Sequence, residues 1–224
     1  MAKINTVVIE PSIIAADPAH IADEVKKCQD AGIKMIHVDI MDGHFVPNLT
    51  YGPSMVSAIR RCSKDIHIDV HLMVYQPFDW VERFASAGAN HISFHLESTE
   101  DVEDTITFIR RCNMKVGVAL RPETSESLVL KYLDKIDRVL VMTVNPGFGG
   151  QEFMEEMLPK VEFLREKCDQ LHIPMSIQVD GGINLATASL SIKAGASHLV
   201  CGTAFFKSPD YKQMHQELLI SGNK

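Results

Sequence analysis

The chain has 224 residues, enough for one large α/β domain with a full core. Its 22 Lys and Arg against 29 Asp and Glu leave a net charge of −7, which argues against a general attraction to nucleic acid or an anionic membrane. Any anion must then be held by individually placed groups. Five scattered cysteines with no C-x-x-C pair suggest reduced thiols used in packing. The opening MAKINTVVIEPS has too short an apolar stretch for a signal peptide, and no later segment reaches the length of a membrane span, so a cytoplasmic location is expected.

Apolar runs with strand character alternate with segments of helical period, eight of each. The predicted strands are Thr6 to Ser12, Met35 to Ile40, Ile66 to Met73, His91 to Phe94, Lys115 to Leu120, Arg138 to Val144, Ser176 to Asp180 and His198 to Cys201. Helix starts are signalled at Asp17-Pro18, Gln76-Pro77, Thr124 and Ser208-Pro209. Helix ends are signalled by glycine at Gly32, Gly88, Gly195 and Gly222. Strands buried on both faces and joined by helices form a parallel sheet. Eight such units in this length, with no linker or low-complexity break, predict an α/β fold: a single (β/α)8 TIM barrel spanning residues 1–224.

His37, Asp39, His71 and Asp180 lie near the ends of three of these strands. Side chains two apart share a strand face, so His37, Asp39 and Met41 point one way, as do Asp69, His71 and Met73. In a barrel the strand ends form the active site, and the second and seventh strands face each other across its mouth. Asp39 and Asp180 would then flank a bound molecule, one removing a proton from carbon and the other returning it to the opposite face. A carbon acid is weak, so a metal ion must stabilise the enediolate as a Lewis acid. Mixed imidazole and carboxylate ligands suit zinc, iron(II), manganese or cobalt, one ion per subunit.

Glycines recur at three neighbouring strand ends: Asn145-Pro146-Gly147-Phe148-Gly149-Gly150, Asp180-Gly181-Gly182 and Cys201-Gly202-Thr203. Such loops let backbone N–H groups cradle a phosphate without Lys or Arg, and the first could also hinge as a lid. Met41, Met73 and Met142 stand near strand ends, either as core filling or as an apolar lining that dries the reacting carbon. His44 could contact substrate but is expected only to cap its loop, His67 is expected to face the helices, and His95 with Glu97, following the fourth strand, could enter the mouth but have no assigned chemistry.

The segments PSIIAAD (from Pro11), HVDIMDGHFVPNLTYGP (from His37), DVHLMV (from Asp69), VMTVNPGFGGQ (from Val141), VDGGIN (from Val179) and CGTAFF (from Cys201) together resemble the ribulose-phosphate 3-epimerase family, from first strand to last. The resemblance implies a (β/α)8 enzyme of the pentose phosphate pathway acting on a phosphorylated ketose. It implies one divalent metal held by His37, Asp39, His71 and Asp180, with Asp39 and Asp180 as the acid/base pair. Ser12, His37 and His71 would touch the sugar. Gly147, Phe148, Gly149 and Gly150, then Gly181 and Gly182, then Gly202 and Thr203 would hold the phosphate. The family more often carries Ser at the position of Thr203, a small departure where the contact is a backbone N–H. Assembly as a homo-oligomer is expected. The rival substrate is a six-carbon ketose phosphate such as allulose 6-phosphate, and a non-catalytic sugar-phosphate-binding protein is a more distant alternative. A barrel hydrolase would want H-x-H where Ile9-Glu10-Pro11-Ser12 stands, and a related decarboxylase would want a Lys that Asp39-Ile40-Met41-Asp42 lacks.

Overall fold

The protein is described here over residues 7–223 of a computed structural model. Strands β1 (Val8–Pro11), β2 (Met35–Met41), β3 (His67–Met73), β4 (His91–His95), β5 (Lys115–Leu120), β6 (Arg138–Met142), β7 (Ser176–Asp180) and β8 (His198–Cys201) pair in parallel in the order β1-β8-β7-β6-β5-β4-β3-β2. A bridge between Ser12 and His37 joins the two ends, so the sheet curls into the expected (β/α)8 TIM barrel. Thr6, predicted to open the first strand, lies outside the described residues.

The helices are α1 (Ile21–Asp30), α2 (Pro53–Cys62), α3 (Val81–Ala87), α4 (Val102–Arg111), α5 (Leu158–Gln170), α6 (Leu185–Lys193), the short α7 (Thr203–Phe206) and α8 (Tyr211–Ile220). Between β5 and β6 the crossover is a 3-10 helix, Glu126–Tyr132, where an α-helix was expected. The Lys160 ammonium on α5 reaches back to fix its approach, donating to the carbonyls of Pro122 and Thr124, both at 2.5 Å. Among the described residues, no helix is long and apolar enough to cross a membrane.

Two of the helix-start signals shift. The cap of the fifth crossover is Ser125, whose hydroxyl accepts from the N–H of Ser127, because Thr124 is drawn away to donate to Glu97. Asp210, and not Ser208, caps α8 by accepting from the N–H of Gln213. Asp17 caps as expected, accepting from the N–H of Ala19. Gln76 precedes Pro77 in a left-handed conformation (φ 50°) and makes no side-chain cap. Glycines follow α1, α3 and α6 as read, but at Gly222 the chain continues into a 3-10 turn over Ser221–Asn223.

Two-residue alternation sorts the strands. Even positions on β2 and β3 (Ile36, Val38, Ile40; Ile68, Val70, Leu72) face the helices and form the main core with Ile92, Phe94, Val116, Val118, Val139, Val141, Ile177 and Val179. Each such fully buried side chain contributes on the order of 1.5–3 kcal/mol, so the shell between sheet and helices dominates the stability. The opposite parity fills the barrel interior, which is largely polar: Glu10, His37, Asp69, His91, Ser93, Arg138 and Gln178 are all buried. His67 belongs to that parity, two residues from Asp69 and four from His71. It stands at the start of β3 near His91 and Arg138, inside the barrel and not against the helices. Of the five free cysteines, Cys28, Cys168 and Cys201 are buried as packing residues, whereas Cys62 is exposed at the end of α2.

Candidate active site

The inward parity of β2 and β3 delivers His37, Asp39 and His71 to the upper interior, and the last residue of β7 delivers Asp180. One ligand atom from each of the four lies within 4.8 Å of all the others. His37 Nε2 is 3.3 Å from Asp39 Oδ1 and 3.7 Å from Asp180 Oδ2. His71 Nδ1 stands 3.2 Å from Asp39 Oδ1 and 3.4 Å from Asp180 Oδ2. The two rings and two carboxylates therefore converge on one point.

The lower interior decides which way the His37 ring is turned. Its Nδ1–H donates to Asp69 Oδ2 at 2.9 Å, since an ionised carboxylate can only accept. Asp69 also accepts from His91 Nδ1 at 2.5 Å, Arg138 Nη1 at 2.8 Å and Gln178 Nε2 at 2.9 Å. Burial disfavours its charge, but Arg138 and the histidine rings outweigh that and hold the Asp69 carboxyl well below its ordinary pKa. Nε2 of His37 is left facing the cluster as a buried nitrogen without a hydrogen-bond partner. A carboxylate that orients a histidine while its free nitrogen looks into a ring of further ligands is the usual support of a metal-binding imidazole. The donor set and the orphaned nitrogen both fit a divalent ion held by His37, Asp39, His71 and Asp180.

Burial alone would lower His37 and His71, but nearby carboxylates outweigh it: Asp39 and Asp69 at His37, Asp180 and Asp39 at His71. Both rings end above their ordinary values. Asp39 is held low by the same exchange, burial opposing and His37 with His71 prevailing. The cluster thus carries an excess of negative charge that a cation, or protons, must balance.

Above this floor a cavity of about 610 Å³ opens. Its lining includes Ser12, Asp39, Met41, Met73, Met142 and Asp180 from the strand ends, and Gly147, Phe148, Gly149, Gly150, Gly181, Gly182, Gly202 and Thr203 from the loops that follow them. His37 and His71 are wholly buried behind the carboxylates and do not line it. The hydroxyl of Ser12 donates to Asp39 Oδ2 at 2.5 Å, leaving Oδ1 to the metal cluster. Met41 and Met73 pack with Val46, and Met142 with Ala119, Leu140 and Val144, so the three thioethers give the cavity floor an apolar border.

The glycine loops are shaped by their surroundings. A side chain at Gly181 (φ 119°) would put Cβ 2.4 Å from Val144 Cγ2, and one at Gly182 (φ 67°) would put it 2.6 Å from the backbone nitrogen of Phe153. Only glycine satisfies both the left-handed backbone and the lack of room. Asn48, a residue the sequence reading did not select, donates from Nδ2 to the Gly147 carbonyl at 2.7 Å, and Gln151 Nε2 donates to the carbonyls of Asn145 and Phe148. Lys207, also unselected, lines the cavity beside Thr203 and Ala204. His44 sits outside, its ring stacked on Tyr75 at 4.9 Å. Asp69 could have been suspected from its place two residues before His71.

A parallel eight-stranded barrel with imidazoles and carboxylates gathered at the C-terminal end of its strands is the framework of a barrel enzyme. The family model described as the ribulose-phosphate 3 epimerase family matches residues 8–206. The chain belongs to that family, and so is an isomerase acting on carbohydrates. It is 40% identical over 224 residues to ribulose-phosphate 3-epimerase of Chlamydia muridarum, covering 99% of this chain and 98% of that one. Its identity to the enzyme of the same name from Bacillus subtilis is 42% over 217 residues, covering 96% and 99%. Among solved structures it resembles a 3-hexulose-6-phosphate synthase from Salmonella typhimurium with a TM-score of 0.71 at 13% identity, covering 96% of this chain and 97% of that one, a likeness of fold.

Proposed function

We propose that the protein interconverts D-ribulose 5-phosphate and D-xylulose 5-phosphate by proton transfer at carbon 3 through a 2,3-enediolate. The observation that carries this reading is the convergence of Asp39 and Asp180, from strands three places apart around the ring, on the floor of a cavity whose far side is built of glycine loops. One carboxylate removes the carbon 3 proton and the other delivers a proton to the opposite face. When bound by His37, Asp39, His71 and Asp180, one divalent ion (zinc, iron(II), manganese or cobalt) supplies Lewis-acid polarisation worth several kcal/mol at the substrate oxygens. Ser12 keeps Asp39 oriented. Ser12 faces the sugar end; His37 and His71, expected from the sequence to touch the sugar, lie buried behind the carboxylates and serve the metal, while Met41, Met73 and Met142 exclude water from the reacting carbon. Backbone N–H groups of Gly147 to Gly150, Gly181, Gly182, Gly202 and Thr203 take the phosphate, so an acidic chain holds a dianion with little help from cationic side chains.

Cytoplasmic location, one domain over the whole chain and assembly as a homo-oligomer belong to the same reading. Large apolar side chains left exposed, among them Leu49, Tyr75 and Phe78, support the last, and light scattering reads it directly.

The test is turnover in deuterated water with ribulose 5-phosphate, allulose 6-phosphate and unphosphorylated ribulose measured in parallel. Deuterium should enter at carbon 3 only, with the highest kcat/KM for ribulose 5-phosphate. Product that retains its original hydrogen would refute two-base transfer. A preference for allulose 6-phosphate would replace the substrate and keep the mechanism. Efficient turnover of unphosphorylated ribulose would remove the phosphate cradle, whose N–H groups would otherwise be left unpaired.

A further inference from the structure

His71 presents Nδ1 to the carboxylate cluster, and its other nitrogen is also engaged. Nε2 lies 3.0 Å from Nε2 of His95, the last residue of β4, and the two rings stack with centroids 5.0 Å apart. On its far side His95 Nδ1 is 3.2 Å from Glu97 Oε2. Both rings are fully buried. Glu97 Oε1 in turn accepts from the backbone N–H of Arg121 at 2.9 Å and from the hydroxyl of Thr124. The Arg121 guanidinium donates to the Phe45 carbonyl at 2.9 Å and lies 4.0 Å above the Phe45 ring, tying the relay to the loop after β2.

We propose that His95 and Glu97 are positioning residues for His71, a relay that fixes its ring in the state with a proton on Nε2 and the Nδ1 lone pair free for a metal ion. The roles follow from the end of the chain. An ionised Glu97 only accepts, so His95 carries its proton on Nδ1. A neutral His95 then has an acceptor at Nε2, and the group facing it, His71 Nε2, must be the donor. That leaves His71 Nδ1 facing Asp39 and Asp180, a donor to them while no ion is bound and the free ligand atom once an ion takes the place of that proton. His37 is oriented by a carboxylate directly, through Asp69; His71 is oriented by a carboxylate at one remove, through a second imidazole.

The proposal rests on the metal reading of the site, and two measurements separate their fates. The first is metal affinity by chelator competition in wild type, His95→Leu, His95→Gln and Glu97→Gln. Gln at 95 retains one acceptor for His71 and one donor for Glu97, whereas Leu keeps bulk and loses both. We expect His95→Leu to lose roughly 10–100-fold in affinity, His95→Gln to recover most of it, and Glu97→Gln to fall between. A packing role would rank Leu above Gln. The second measurement needs no metal: nitrogen-15 NMR of the wild-type histidine rings, reading which nitrogen carries the shared proton and the coupling across the N–H···N bond. Expected are protons on His71 Nε2 and on His95 Nδ1. A proton on His95 Nε2, or equal affinities in Leu, Gln and wild type, overturns the relay. Wild type that takes up no ion overturns the metal reading, and the ring protons alone then decide the relay.

Discussion

Replacing Asp69 by Asn tests the lower interior and the site above it in one experiment. The carboxylate is fully buried and accepts four hydrogen bonds, from His37, His91, Arg138 and Gln178. Asn has nearly the same shape, but one of its two polar atoms is an NH2 group that must face at least one of those donors. The negative charge opposite Arg138 disappears as well. Arg138 then keeps a single carboxylate, Glu10, whose nearest oxygen is 3.4 Å away, beside His198 Nδ1 at 3.1 Å. Removing one partner of a buried ion pair costs about 3–5 kcal/mol, because the remaining charge stays desolvated. Domains of this size lose about 2–4 °C of Tm per kcal/mol, so the melting temperature should fall by about 6–20 °C. His37 would also lose the acceptor that fixes its ring, and metal affinity should drop roughly 10–100-fold. Thermal unfolding followed by circular dichroism, with chelator competition on the same samples, reads both effects. A variant melting within about 2 °C of wild type would refute the reasoning, since a buried charge pair cannot be broken at so small a cost.

Asp39→Asn and Asp180→Asn should each lower kcat by at least about 10²–10⁴-fold with the fold intact, and near-normal turnover in either would sink the acid/base assignment. Metal affinity should weaken as pH falls: His37 and His71 have raised pKa values, so protons compete with the ion below those values, and a pH-independent affinity would count against this ligand set. The metal-free protein should behave in the opposite sense. A raised histidine contributes stability that is fully present below its unfolded value of roughly 6.5 and is lost as pH rises through the folded value, so metal-free Tm should decline over that alkaline window and added metal should remove the decline. Gly182→Ala should raise KM for phosphorylated substrate more than it lowers kcat and cost about 1–3 kcal/mol of stability, because Cβ would meet the Phe153 backbone at a left-handed φ; unchanged KM would show that this loop does not hold the phosphate.

Some of this molecule is legible one strand at a time. Alternation with period two is a local property, and it alone puts His37 with Asp39 and Met41, Asp69 with His71 and Met73, and the aliphatic even positions on the helix side. The eight-fold recurrence of strand and helix likewise survives in the sequence, because each unit carries its own apolar rows. Capping signals are local too, yet Thr124 and Ser208 yielded their caps to Ser125 and Asp210, since Thr124 found a stronger acceptor in Glu97, a residue 27 positions away. The partners of Asp69 are 22 to 109 residues distant in the chain, on β2, β4, β6 and β7. Which residue stands opposite His71 depends on the register that sets it beside Ser93 on β4, and a one-step slip would bring a different side chain to its Nε2. Period and charge are written along the chain; the closing of the barrel chooses which of the buried polar groups meet, and so decides which nitrogen of each histidine faces the cluster.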